Sequence, residues 1–395
     1  MAKPLDGIRV FDITLAGVGP WAGKLLAYLG AEVIHVEAPG RVGEPGSEAA
    51  AESSAGIIYV SANNNKRSVM LDLKDKTDRE AAYRLLGTCD VFLENMRPGA
   101  MERLGLGYEA VSEINPGIVY LAASGYGQTG PMVGSPGADP QLQAFGGWAS
   151  ITGYENEEPE FFRVFIHLDY NTSQYITQAI LLGLYARLRT GRGQKIEVAM
   201  LAAAMSLQST RFAEFFVTGK TPRRLGSAAG TTAPHEAFRC EDLQYLAVGV
   251  VQESEWPAFC HAIDRSELEQ DERFATNALR VEHRAELSEL LAVVFASRPL
   301  RWWEIQLTNG GVPNGRFQTW SDLRNDPQVL ANHSMGVVEH PRHGTIYQDG
   351  VPWHFSKASE LDQLPSPQMG EYTEELLRKL RVGEGAVESA VPAGD

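Results

Sequence analysis

The feature that most constrains this chain is a repeated alternation in its first half between short apolar runs and stretches of helical spacing. Residues 7–13 form one apolar run, residues 21–29 have helical spacing closed by Gly30, and residues 32–37 form a second run. A strand–helix–strand unit of this length is a parallel crossover, and such crossovers are right-handed. The pattern then recurs, with helical spacing over 78–86, an apolar run over 90–93, helical spacing over 109–114 and a run over 118–122. The expected fold is therefore α/β, a large Rossmann-like domain built on a mostly parallel sheet. A long helix is expected over 173–189, stopped by Gly191 and Gly193, and a further strand over 194–198.

After residue 217 the character changes. Residues 218–234 are rich in glycine, threonine, arginine and alanine and read as a linker. Strands over 238–251 and helices over 255–262 and 284–295 follow, which suits a smaller α+β domain over 235–329. Residues 1–217 and 330–395 are assigned to the large domain, whose last part carries strands with Pro and Gly turns and a helix over 372–380.

Charge and cysteine content narrow the function. Acidic residues outnumber basic ones by 50 to 35, a formal net charge of −15, so neither nucleic acid nor an anionic membrane surface is an expected partner. A phosphorylated ligand would have to be met by a few local cations. Cys89, Cys240 and Cys260 are far apart and form no CxxC pair, so a disulfide framework and a zinc site are not expected, and no other metal-ligand spacing is found. The first residues, interrupted by Asp6, Arg9 and Asp12, lack the apolar stretch of a signal peptide, and the longest apolar run, 198–205, is too short to span a bilayer. The expectation is a cytoplasmic protein.

Five blocks in order then carry a family resemblance. They are Leu5-Asp6-Gly7-Ile8-Arg9-Val10-Phe11-Asp12 with Gly19-Pro20; Leu29-Gly30-Ala31-Glu32-Val33-Ile34 with Val36-Glu37-Ala38-Pro39-Gly40; and Asn65-Lys66-Arg67-Ser68 with Leu71-Asp72-Leu73-Lys74. The others are Glu94-Asn95-Met96-Arg97-Pro98-Gly99 with Arg103-Leu104-Gly105, and Ser124-Gly125-Tyr126-Gly127-Gln128-Thr129-Gly130-Pro131, continued by Gly137, Asp139 and Gln143-Ala144. The chain resembles the class III CoA-transferases, the formyl-CoA transferase and carnitine CoA-transferase group, over nearly its whole length. The resemblance implies transfer of CoA from an acyl-CoA donor to a carboxylic acid acceptor, with CoA as substrate and no metal, in an interlocked homodimer. It places the nucleophile at Asp169 and contacts to CoA at Leu71, Lys74, Asn95, Met96, Arg97, Arg103 and Asp139.

The residue type suits the chemistry. A positioned aspartate attacks the thioester carbonyl, and covalent capture divides one difficult exchange into easier steps. On position alone Asp169 would be an N-cap for the helix expected at 173. The string Gly125 to Gly130 has the spacing of a dinucleotide fingerprint, but Pro131, Gly134 and Pro136 forbid the helix that must follow, so a tight turn is expected. His167 would share a face with Asp169 if the segment were extended, and Phe161, Phe162 and Phe165 are candidates for an acceptor wall.

Some positions depart from the family. Gly17 stands where many members carry a polar side chain, Ala38 where some carry a base, and Gly249 replaces a run of glycines in the small domain. Two other readings share the fold. One is an α-methylacyl-CoA racemase or epimerase, whose histidine is replaced by Ala138 in Gly137-Ala138-Asp139; the other is the catalytic subunit of a heteromeric transferase with a related chain.

Overall fold

In the computed structural model, which describes residues 2–39, 54–162, 166–359 and 363–388, the alternation resolves into a parallel six-stranded sheet. Its strands are β1 (Arg9–Asp12), β2 (Glu32–Glu37), β3 (Arg67–Met70), β4 (Val91–Glu94), β5 (Val119–Ser124) and β6 (Gln194–Ala199), in the order β3-β2-β1-β4-β5-β6. Helices α1 (Val18–Tyr28), α2 (Ser54–Ala62), α3 (Lys76–Leu86), α4 (Ala100–Arg103) and α5 (Tyr108–Ile114) lie in the connections. Beyond β5 come α6 (Asp139–Phe145) and α7 (His167–Thr190), and α8 (Met200–Leu207) follows β6.

The chain forms two compact units. The first comprises residues Met1–Gly146, Phe162–Ser209 and Gln328–Asp395 and contains the parallel sheet. One face of that sheet is apolar. Phe11, Phe92 and Tyr120 stack along neighbouring strands with ring centroids 5.5 and 4.6 Å apart, beside buried Ile34, Val36 and Val69. Strand alternation turns Asp12, His35, Glu37 and Ser68 to the opposite face, and all four are buried.

That polar face is closed by an ion pair. Lys66 Nζ lies 2.8 Å from Asp12 Oδ2 and 2.9 Å from Asn63 Oδ1, His35 Nδ1 lies 3.3 Å from the same Asp12 oxygen, and Asp12 Oδ1 accepts from Thr14 N–H at 2.9 Å. Burial by itself would raise Asp12, but the Lys66 ammonium and His35 outweigh it and hold the carboxyl well below the usual carboxylate range. The last part of the chain returns to this sheet through the antiparallel hairpin β10 (Met335–His340) and β11 (Gly344–Asp349). Lys24 of α1 bonds Asp349 at 2.5 Å and the Ser61 carbonyl at 2.7 Å, and Ser68 accepts from Gly370 N–H and bonds Tyr372 N–H through its carbonyl.

The second unit comprises residues Gly147–Phe161 and Thr210–Pro327. Its antiparallel sheet, in the order β7 (His235–Arg239), β8 (Tyr245–Gly249), β9 (Asn314–Arg316), joins a core of Phe238, Phe259, Phe295 and Trp303. The helices are α9 (Ser209–Thr218), α10 (Glu255–Ala262), α11 (Asn277–Glu282), α12 (Arg284–Phe295) and α13 (Leu300–Asn309). Short turns α14 (Trp320–Leu323) and α15 (Pro327–Ala331) precede the return, and α16 (Thr373–Glu388) ends the described chain. Among the described residues no helix is long and apolar enough to cross a membrane.

Two differences from the sequence reading bear on the site. The long helix begins at His167, six residues before the expected 173, and the helices α8 and α9 were not anticipated in the glycine-poor stretch after β6. Breaking the buried ion pair leaves Asp12 with only His35 and the Thr14 amide against its charge, and removing one partner of a buried pair costs about 3–5 kcal/mol. Lys66→Met should therefore lower unfolding free energy in urea by that amount; unchanged stability would show that Asp12 does not depend on Lys66.

Candidate functional site

In an open parallel sheet ligands bind beyond the carboxyl ends of the strands, where the strand order reverses. Here the order runs outward from β1 to β3 on one side and from β4 to β6 on the other, so the reversal lies between β1 and β4. The loops after these two strands are locked together by one side chain. Asn95 accepts from Leu15 N–H through Oδ1 and donates to the Leu15 carbonyl through Nδ2, both at 2.8 Å. Glu94, at the end of β4, fixes the next turn by accepting from Met96 N–H at 2.7 Å, and burial pushes its carboxyl up to about 7.

The first turn of α7 is held from outside its own sequence. Its N-cap residue, Ile166, has no side-chain acceptor to offer the exposed amides. Asp139, at the start of α6, supplies it: Oδ2 accepts from Leu168 N–H at 2.7 Å. Gln143, one turn further along α6, donates to Asp139 Oδ1 at 2.6 Å and pairs with Phe162 through both backbone groups, at 2.9 and 3.1 Å. Helix α6 in turn approaches the end of β5 closely, because a Cβ on Gly125 would lie 2.8 Å from Gly137 Cα.

Asp169 is the third residue of α7 and is aimed at the start of α1. A Cβ placed on Gly17, the N-cap residue of α1, would lie 2.8 Å from Asp169 Oδ2. Trp21 of α1 meets Tyr170 of α7 edge to face, with centroids 5.4 Å apart. Among the described residues no hydrogen bond reaches the Asp169 carboxylate. Burial, and then the negative charge of Asp139, push its carboxyl up to about 7. A carboxylate of this basicity, short of solvent and of donors, is poised for nucleophilic or proton-transfer chemistry near neutral pH.

The other expected contacts divide into groups. Asn95, Met96 and Arg97 line a cleft of about 150 Å³ together with Ser124, Gly125, Tyr126, Pro136 and Gly137, and Arg97 is exposed. Arg103, exposed on α4, follows the same loop. Lys74 is also exposed, in the turn that leads to the Asp75 cap of α3. The Leu71 side chain is core, and Asp139 is buried with both oxygens engaged as described. The turn expected over 125–130 is present, with Gly127 and Gly130 at positive φ and no helix before Asp139.

The premise for pairing His167 with Asp169 fails. Both residues are helical, so they are separated by roughly 200° around the axis rather than sharing a face. The His167 ring packs against Phe162 instead, at 5.1 Å. Phe161 and Phe162 are exposed, and Phe165 lies outside the described residues. Sequence reasoning noted Gln143 and Gly17 without their roles, since a side chain pairing with a backbone 19 residues away and a glycine facing a distant carboxylate leave no local signal.

Comparison with known proteins gives a consistent picture. A family model described as CoA-transferase family III matches residues 5–373. Succinyl-CoA:glutarate CoA-transferase of Mus musculus is 34% identical, covering 99% of this chain and 90% of its own length. Succinyl-CoA–D-citramalate CoA-transferase of Chloroflexus aurantiacus is 30% identical, covering 96% and 94%. Among solved structures, a CAIB/BAIF family protein from Brucella suis superposes with a TM-score of 0.84 at 30% identity, covering 96% of this chain and all of the other.

The raised carboxyl of Asp169 has a consequence for stability. A group whose folded pKa lies above its unfolded value of about 3.9 favours the fold when protonated, and that contribution is lost as pH rises towards 7. Asp169→Asn should therefore raise Tm at pH 8 and by progressively less as pH falls to 4. An equal or lower Tm at pH 8 would contradict the burial of an uncompensated carboxylate.

Proposed function

The chain belongs to CoA-transferase family III, and on that premise we propose that Asp169 carries CoA covalently, as an aspartyl thioester, between donor and acceptor. The ionised carboxylate attacks the donor thioester carbonyl and expels CoA as its thiolate, leaving a mixed anhydride. The thiolate attacks the aspartyl carbonyl, releasing the donor acid and forming an aspartyl-CoA thioester. The acceptor carboxylate attacks that thioester, and the thiolate returns to the acceptor carbonyl, giving the new acyl-CoA and regenerating Asp169. Charge and atoms balance without another reactant.

The observation that carries this reading is the environment of Asp169: half-buried, unbonded among the described residues and raised to about 7. A carboxylate in water is a weak nucleophile towards a thioester. One that is partly desolvated and of unusual basicity is a better one, and holding both partners in place removes roughly 7–11 kcal/mol of entropic barrier. The cleft at Asn95, Met96 and Arg97 suits the CoA chain, and exposed Arg97, Arg103 and Lys74 suit its phosphates. Leu71 and Asp139 are both buried, and their side chains are not open to the ligand. The names of the relatives favour succinyl-CoA as donor and a small dicarboxylic acid as acceptor.

A second copy of the chain is the proposed partner. Leu182, Tyr185 and Leu188 of α7 are 60–82% exposed at one-turn spacing, and Phe216 and Val217 of α9 are about 79–85% exposed. Apolar residues repeated in this way on single helices mark an interface rather than a solvated surface.

Three outcomes test these proposals. Initial rates with succinyl-CoA across a panel of dicarboxylic acids should require an acceptor and fall below detection in Asp169→Ala, whereas exchange of the α-proton with deuterium in the absence of acceptor would assign racemase chemistry. The acidic limb of the kcat/KM profile should have its midpoint near 7, activity appearing as pH rises and Asp169 ionises; a midpoint near 4 would contradict the site as described. Light scattering should give twice the chain mass, with Leu182→Asp and Leu188→Asp together disrupting it; a folded, active monomer would exclude the dimer.

A further inference from the structure

Glycines 17, 19 and 23 lie at the start of α1 and within it, and each answers to a different neighbour. A Cβ on Gly19 would fall 2.2 Å from Thr14 Cγ2, inside the turn after β1. A Cβ on Gly23 would fall 2.7 Å from Asp12 Oδ2 and 2.9 Å from Lys66 Nζ, against the buried ion pair. Both are packing requirements of the fold. Gly17 is different. Its φ of −104° and ψ of −62° lie in the right-handed region open to any residue, so the backbone does not call for glycine. What a side chain would meet is Asp169 Oδ2 at 2.8 Å, Ile166 Cδ1 at 2.8 Å and Trp21 Cζ3 at 2.9 Å.

We infer that Gly17 is a positioning residue for acyl transfer: lacking a side chain, it reserves the space at the start of α1 in which the Asp169 carboxylate lies. The inference rests on the assignment of Asp169 as the nucleophile. It also gives a physical role to one of the positions at which this chain departs from the polar residue common in its family.

The neighbours of Gly17 do not yield equally. The Trp21 ring is buried and braced against Tyr170, and Ile166 immediately precedes a helical turn whose Leu168 amide is fixed by Asp139. The Asp169 carboxylate, by contrast, has no hydrogen bond to give up among the described residues and moves by rotation of a short side chain. An added methyl group therefore displaces the carboxylate before it disturbs the helices. The consequence falls on the geometry of attack, where a misplacement of about 1 Å costs about a hundredfold in rate. The contacts at Ile166 Cδ1 and Trp21 Cζ3 must open as well, which costs some stability, partly offset because replacing glycine at a permissive φ, ψ restricts the unfolded chain.

The test compares Gly17→Ala, Asp169→Ala, Ile166→Val and the double variant Gly17→Ala/Ile166→Val in the full-length protein, with succinyl-CoA and the best acid of the panel. Gly17→Ala should lower kcat by roughly ten- to a hundredfold, leave KM for succinyl-CoA within about twofold, and lower Tm only modestly, leaving the protein folded at the assay temperature. Ile166→Val alone should retain activity, and the double variant should stay as slow as Gly17→Ala, because the carboxylate contact persists. Unchanged kcat in Gly17→Ala, a rise in KM that accounts for the loss, or recovery in the double variant would each overturn the inference. Activity in Asp169→Ala would remove the nucleophile assignment itself, whereas an inactive Asp169→Ala beside a fully active Gly17→Ala would remove only the role of Gly17.

Discussion

The hydrogen bond from Leu168 N–H to Asp139 Oδ2 is the constraint on which the site depends. Helix α7 has no capping side chain of its own at Ile166, so its first turn is ordered only because a carboxylate from α6 fills that place. The same carboxylate is held by Gln143, which also ties down Phe162, and α6 is seated against the end of β5 by the contact between Gly125 and Gly137. A chain of short-range interactions thus runs from the parallel sheet to the residue beside Asp169. Because Asp139 contributes negative charge as well as a cap, it fixes Asp169 and raises its basicity at once.

Two aspartates of this sheet layer illustrate opposite uses of burial. Asp12 receives an ammonium, an imidazole and a backbone amide, and its charge is stabilised below the ordinary range. Asp169 receives no such partners among the described residues and is pushed the other way. The first arrangement ties the end of β1 to β2 and to the turn before β3; the second leaves a carboxylate without a counter-charge. The chain has the family and fold of the CoA-transferases of family III, and the covalent role proposed for Asp169 accords with this division.

Much of the fold was legible in the sequence because the strands that build the sheet are short apolar runs punctuated by glycine, and the periods of strand and helix differ. Residues 32–37 and the helices at 255–262 and 284–295 appear with the bounds read from periodicity. The start of α7 was not legible, because its cap comes from Asp139 and no local residue announces it. That single displacement moved His167 from beside Asp169 to another side of the helix. Asn95, Met96 and Arg97 were found through a contiguous motif and do line one cleft, whereas the roles of Gly17 and Gln143 depend on contacts between segments far apart in the chain.

The account stands or falls on whether an acid oxygen passes through the Asp169 carboxyl. The direct measurement is a single turnover on enzyme loaded with acyl-CoA, using acceptor acid labelled with heavy oxygen in its carboxylate, followed by mass analysis of the peptide that contains residue 169. If the acceptor attacks an aspartyl-CoA thioester, its attacking oxygen remains with the protein, and that peptide gains one heavy atom located at Asp169. If the second labelled oxygen appears instead in the released donor acid, with none in the protein, no anhydride formed on this side chain and the covalent mechanism is excluded.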